Sequence, residues 1–134
     1  TRRSSDLPVL GNAPGIYSAR YAGEHGNDAN NNAKLMADLQ PIREQNQNTP
    51  IKGYFVCVLA LVHHADDPLP IIAQGLWQGE ILPQPQGENG FGYDPLFWVP
   101  ELQLTAAAMN PEQKNKISHR GLAINSLLQQ LSTL

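Results

Sequence analysis

The sequence predicts an α/β fold, a mixed twisted sheet flanked by helices, and three observations predict it. The first is Tyr54 to Val62, a nearly unbroken apolar run whose β-branched and aromatic content reads as a strand at the centre of the sheet, covered on both faces. The second is a pair of segments with apolar residues at helical spacing: Ala33, Leu35, Met36 and Leu39, then Ile124, Leu127, Leu128 and Leu131. The third is uniformity. With 134 residues, no internal repeat and no shift in composition, residues 1–134 read as a single domain.

Taken in order, Thr1 to Asp6 is short and polar and predicts a frayed start. Gly11 to Gly15 is a turn cluster, and Ile16 to Tyr21 follows it with two tyrosines and Arg20, which could face a ligand, a partner or solvent. Asn27 or Asp28 caps a helix that runs through Gln40 until Pro41 stops it; the run Asn30-Asn31-Asn32 falls in its first turn and needs no special role. Pro41 to Pro50 is a polar connection. After the central strand, His63, His64, Asp66 and Asp67 raise a metal site, but adjacent residues at a strand end point in opposite directions, and the composition there is that of a turn.

Pro70 to Leu82 reads as one or two strands hairpinned to the preceding one, with Gly75 and Gly79 marking bulges or a bend around Trp77. A glycine-rich loop leads from Pro83 to Asp94, and Leu96 to Val99 returns as a strand that Pro100 ends. Asn110, Pro111 and Gln113 open a short helix as cap, first helical residue and capping-box partner. Ser118 caps a second helix, whose Ile124, Leu127, Leu128 and Leu131 are spaced to lie on the sheet.

Composition narrows the function classes. A net charge of −3 argues against a nucleic-acid partner, which normally demands a basic stripe. No stretch approaches the length of a membrane-spanning helix, and Arg2-Arg3 is not followed by the apolar core of a signal peptide, so the cytoplasm is the expected location. The lone Cys57 sits in an apolar run as a small buried hydrophobe.

Two constellations carry chemistry. In Gly87-Glu88-Asn89-Gly90-Phe91-Gly92-Tyr93-Asp94-Pro95, the glycines permit conformations closed to other residues, the two rings offer stacking surfaces, and Pro95 fixes the backbone behind the Asp94 acceptor. A planar polar ligand such as a nucleobase suits this loop; aromatics packed on the core are the alternative. In Ser118-His119-Arg120, cations stand at a helix start, where the dipole disfavours them unless something negative or electron-rich is nearby. With Lys114 one turn earlier, donors converge on one edge and face Phe91; a capping His119 and an ion-paired Arg120 are the alternative.

Ala13 to Tyr21, Gly90 to Pro95, and Lys114 followed by Ile117 to Gly121 resemble, in order, the signature segments of the inosine triphosphate pyrophosphatase (Ham1-like) family. The resemblance runs from about Val9 to the C-terminus. It implies that family's elongated α/β architecture, a homodimer, and Mg²⁺-dependent hydrolysis of non-canonical purine nucleoside triphosphates (ITP, dITP, XTP) to monophosphate and pyrophosphate. By the same resemblance Phe91 stacks on the base, Tyr93 and Asp94 complete the base pocket with Gly92, and Lys114, Ser118, His119 and Arg120 contact the nucleotide. Arg and His donors suit a 6-keto purine, whereas the 6-amino group of adenine would leave them unpaired.

The resemblance also implies an N-terminal strand-helix portion with a phosphate loop and an acidic magnesium ligand, which this sequence does not contain. Where the family carries Asp-Asp-Ser-Gly-Leu, with a catalytic aspartate, ungapped alignment places Thr1-Arg2-Arg3-Ser4-Ser5, and an arginine stays protonated and repels Mg²⁺. The expectation is therefore an N-terminally incomplete member whose own hydrolysis is impaired, no catalytic residue or metal ligand being assignable. A catalytically inactive nucleotide-binding or dimerising remnant is the alternative.

Overall fold

The computed structural model describes residues 2–47 and 49–133. Its six strands form one sheet in the order β2-β1-β3-β4-β5-β6, with β1 at Arg2–Leu7, β2 at Ala13–Gly15, β3 at Ile51–Leu61, β4 at Ile71–Ile81, β5 at Phe97–Val99 and β6 at Leu104–Thr105. Helices α1 (Asp28–Gln45), α2 (Pro111–Ile117) and α3 (His119–Ser132) complete the α/β architecture. Strand directions are not mixed among the described residues: every pairing is antiparallel.

The central strand lies where the apolar run predicts, but it alternates along its length. Ile51, Gly53, Phe55 and Cys57 are buried, while Tyr54, Val56 and Val58 are only half-buried. On β4 the alternation is sharper, with Ala73, Gly75, Trp77, Gly79 and Ile81 buried and Ile72 and Leu76 about half exposed. One face of the sheet is thus packed and the other is open. Phe55 and Phe97 stack with centroids 4.2 Å apart on the packed face, where Leu35 and Leu39 of α1 join the same core cluster.

Several expectations are corrected. Arg2 to Asp6 is not a frayed start but most of β1, paired with β3 on one side and β2 on the other; Thr1 lies outside the described residues. Gly75 and Gly79 make no bulge, since β3 and β4 pair in one continuous register from Ile51↔Ile81 to Leu61↔Ile71. They permit close approach instead: a Cβ at Gly75 would sit 2.0 Å from the His119 carbonyl oxygen of α3, and one at Gly79 would meet Phe97 and Trp98. The predicted stripe on α3 is rotated. Ala123 is its buried residue, while Ile124, Leu128 and Leu131 are exposed, because only a small side chain fits where α3 rests on Gly75.

Pro41 does not end α1, which continues to Gln45. The turns beyond it are held by tertiary contacts: Ile42 packs against the core and Arg43 Nη2 donates to the Ile81 carbonyl at 2.7 Å. The polar connection is accordingly shorter than Pro41–Pro50, and Asn48 within it lies outside the described residues. The caps stand as read: Asn27 accepts from Asn30 N–H, Asn110 and Gln113 form a reciprocal capping box, and Ser118 Oγ accepts from Gly121 N–H. No helix among the described residues is long and apolar enough to cross a membrane.

Candidate functional site

The glycine-rich loop folds around Asp94. Asp94, 4% exposed, opens the 3-10 turn Asp94–Leu96, and its carboxylate accepts from Phe91 N–H at 3.0 Å and from Lys114 Nζ at 2.5 Å. Gly90, at φ +82°, is required by that turn: a Cβ there would fall 2.2 Å from Asp94 Oδ2. The loop is tied from outside by α1, whose first turn supplies two groups to one residue. Asp28 Oδ2 accepts from Gly92 N–H at 3.0 Å, and Asn32 Nδ2 donates to the Gly92 carbonyl at 2.9 Å.

This tethering pushes the Phe91 ring outward, leaving it 59% exposed. The alternative of a core aromatic belongs to Tyr93, which is 5% exposed and whose hydroxyl donates to the Ser18 carbonyl at 2.5 Å; burial raises its pKa well above the usual phenol range. Cations gather at the Phe91 ring. Lys114 Nζ is 4.9 Å from its centroid and Arg3 Cζ is 6.0 Å.

Phe91 separates two hollows. The larger, about 390 Å³, lies between β1, the 3-10 turn Ser18–Arg20 and the start of α1, with Arg2, Arg3, Ser4, Asp28 and Asp94 in its wall. The smaller, about 230 Å³, lies between the loop and helices α2 and α3; Ala106 and Met109 give it apolar walls, and Lys114 and Arg120 line it. Arg3, Phe91 and His119 border both.

His119 opens α3 on the packed face, its ring 5.1 Å from that of Phe55. Burial, reinforced by the charges of Arg3, Lys114 and Arg120, lowers its pKa to about 4, so the imidazole is neutral near pH 7. Its Nδ1 is buried without a hydrogen-bond partner among the described residues. Ser118 is buried and used by its cap, whereas Arg120 is exposed. The structure therefore brings Phe91, Gly92, Asp94, Lys114, His119 and Arg120 to one place, puts Tyr93 beneath them, and keeps Ser118 within the helix junction.

Sequence reasoning missed the residues that hold this arrangement. Asn31, 2% exposed, donates to the Ala19 carbonyl at 2.9 Å and accepts from Ala22 N–H at 2.8 Å, pinning the segment beside the larger hollow. The signal was the asparagine run itself, since asparagine is a poor filler of a helical turn and a good binder of neighbouring backbone. Arg3, unsuited to a metal by its charge, reads as part of a polar start until its strand pairs with β3.

A magnesium ion does not fit the donors present. Among the described residues no cluster of three His, Cys, Asp or Glu side chains can hold a metal. The larger hollow's Asp28 and Asp94 each accept from loop N–H groups, Asp94 also holds Lys114, and two arginines share the wall. At the far end of β3, His63 Nδ1 lies 2.9 Å from Asp67 Oδ2, while Asp67 accepts from the His63 and Leu69 N–H groups and so closes the turn.

Comparison with known proteins follows the same geometry. The sequence pattern of the Ham1 family matches residues 6–130. A dITP/XTP pyrophosphatase of Acinetobacter baumannii is 66% identical over 125 residues, covering 93% of this chain and 59% of that protein. A solved HAM1 protein from Coxiella burnetii superposes with a TM-score of 0.88 at 42% identity, covering 98% of this chain and 65% of that one. The Ham1 protein of Staphylococcus aureus gives 0.86 at 41%, with the same coverage. The chain thus spans about three fifths of the length of the curated relatives it matches.

Proposed function

This chain belongs to the Ham1 family, and on that premise we propose that its pocket is a site for a keto-purine nucleotide of the kind named in its relatives, dITP or XTP. The observation that carries the reading is Phe91, an aromatic ring held 59% exposed between two hollows by a loop anchored on buried Asp94 and tied to Asp28 and Asn32 of α1. A base stacks on that ring in the smaller, more apolar hollow, and the cationic donors of Lys114 and Arg120 meet its carbonyl edge. Neutral His119 offers a further hydrogen-bonding nitrogen. Gly92, Tyr93, Asp94 and Ser118 shape the site without needing to touch the base.

The reaction we assign to the family fold is hydrolysis of the triphosphate to monophosphate and pyrophosphate, with Mg²⁺ as cofactor, a homodimer as the assembled form and the cytoplasm as its place. This chain's described residues support the binding half of that function. The pocket carboxylates are already engaged, so water and metal have no evident holder here, and phosphoryl transfer depends on such positioning.

Two measurements test the reading. Calorimetric titration with IMP is expected to give binding that Phe91→Ala abolishes; no heat at high protein concentration overturns the purine site. Pyrophosphate release from dITP with Mg²⁺ is expected to stay at blank level, and turnover abolished by Arg120→Ala would instead establish this chain as a competent hydrolase.

A further inference from the structure

The pairing Arg3↔Cys57 and Ser5↔Phe55 sets Arg3 on the packed face of the sheet, in line with buried Ser5 and Leu7. Its guanidinium emerges between the two hollows, 6.0 Å from the Phe91 centroid, and borders both. Among the described residues it forms no ion pair, and the two carboxylates that share the larger hollow's wall have other partners: Asp28 accepts from Gly92 N–H, Asp94 from Phe91 N–H and Lys114. With Asp94 neutralised by Lys114, the two arginines in the wall, Arg2 and Arg3, face the single remaining carboxylate of Asp28, so the larger hollow keeps a positive balance. Its approximately 390 Å³ lies within the size range of small-molecule sites. After burial, Arg3 is the first of the charges that disfavour protonation of His119.

We propose that Arg3 is a phosphate-binding residue of this chain: with a base on Phe91 in the smaller hollow, the 5′-phosphate extends into the larger one and pairs with the Arg3 guanidinium, without a divalent cation. The planar fork of guanidinium donors matches phosphate oxygens. This rests on the keto-purine reading of the preceding subsection.

The test is calorimetric titration with inosine and with IMP, in EDTA, of wild type, Arg3→Met and Arg3→Lys. Wild type should bind IMP at least ~10-fold tighter than inosine, as a charge-assisted phosphate contact does. Arg3→Met, which keeps the apolar stem, should bring the two ligands within about twofold, and Arg3→Lys should keep part of the preference. If inosine and IMP bind wild type equally, or if Arg3→Met keeps the preference for IMP, the phosphate role of Arg3 is refuted while the purine site stands. If neither ligand binds, the purine site fails and this inference with it. Far-ultraviolet circular dichroism separates loss of fold from loss of contact; should Arg3→Met unfold, the wild-type comparison of inosine with IMP decides alone.

Discussion

Lys114 reaches from α2 to within 2.5 Å of Asp94 Oδ2, so one ammonium both neutralises a 4%-exposed carboxylate and stands 4.9 Å from the ring on which a ligand would stack. Loop and helix are thereby fastened by a pair whose aspartate cannot be left alone. Lys114→Met should destabilise the fold by about 3 kcal/mol, because it strands a buried charge. Urea unfolding at neutral pH measures it. A change below about 0.5 kcal/mol, the size of an exposed pair, would show that water reaches Asp94 freely.

Phe91→Ala separates site from scaffold. The ring is mostly exposed, so its removal should change unfolding free energy by less than about 1 kcal/mol. Affinity for inosine nucleotides should fall by more than about tenfold through loss of stacking. Parallel denaturation and binding curves would check both halves, and an equal loss in each would return the ring to a packing role.

Acid should loosen the molecule through His119. Its folded value is held at about 4, below the ordinary 6.5, so as pH falls the unfolded chain takes up the proton first. The stability concerned is complete above pH 6.5 and is lost between 6.5 and 4. Discounted for partial solvent screening, the loss is about 1–2 kcal/mol. Denaturant midpoints at pH 7.5 and 4.5 should therefore differ more for wild type than for His119→Gln; parallel profiles would assign the pH dependence to other groups.

Gly75→Ala should disrupt the seating of α3 on the sheet. Its Cβ would lie 2.0 Å from the His119 carbonyl oxygen and 2.7 Å from Ala123 N, both backbone atoms that cannot rotate aside. A loss of about 3 kcal/mol or more is expected from such overpacking. Thermal unfolding checks it, and a shift of under about 2 °C would mean that α3 can slide on the sheet.

Much of this was legible in the sequence. The Phe91 loop, the capping residues at 27, 110 and 118, and the central strand follow from local chemistry, which short-range patterns report well. What was misread depends on contacts distant in sequence. Arg2 to Leu7 looks like a polar tail until β3 and β2 are there to pair with it, and Pro41 looks like a stop until Arg43 reaches Ile81. Gly75 suggests a kink only while the helix above it is unknown. In the same way, the roles of Asn31 and Asn32 appear only once Ala19, Ala22 and Gly92 are set against them.

The imidazole at position 119 touches Phe55, and Phe55 in turn stacks on Phe97, so the edge proposed to meet the base is continuous with the aromatic core. Selectivity and robustness are in consequence not separate engineering targets in this scaffold. A library that explores new base preferences at residue 119 will recover variants with weakened cohesion unless Phe55 and Trp77 are varied alongside it.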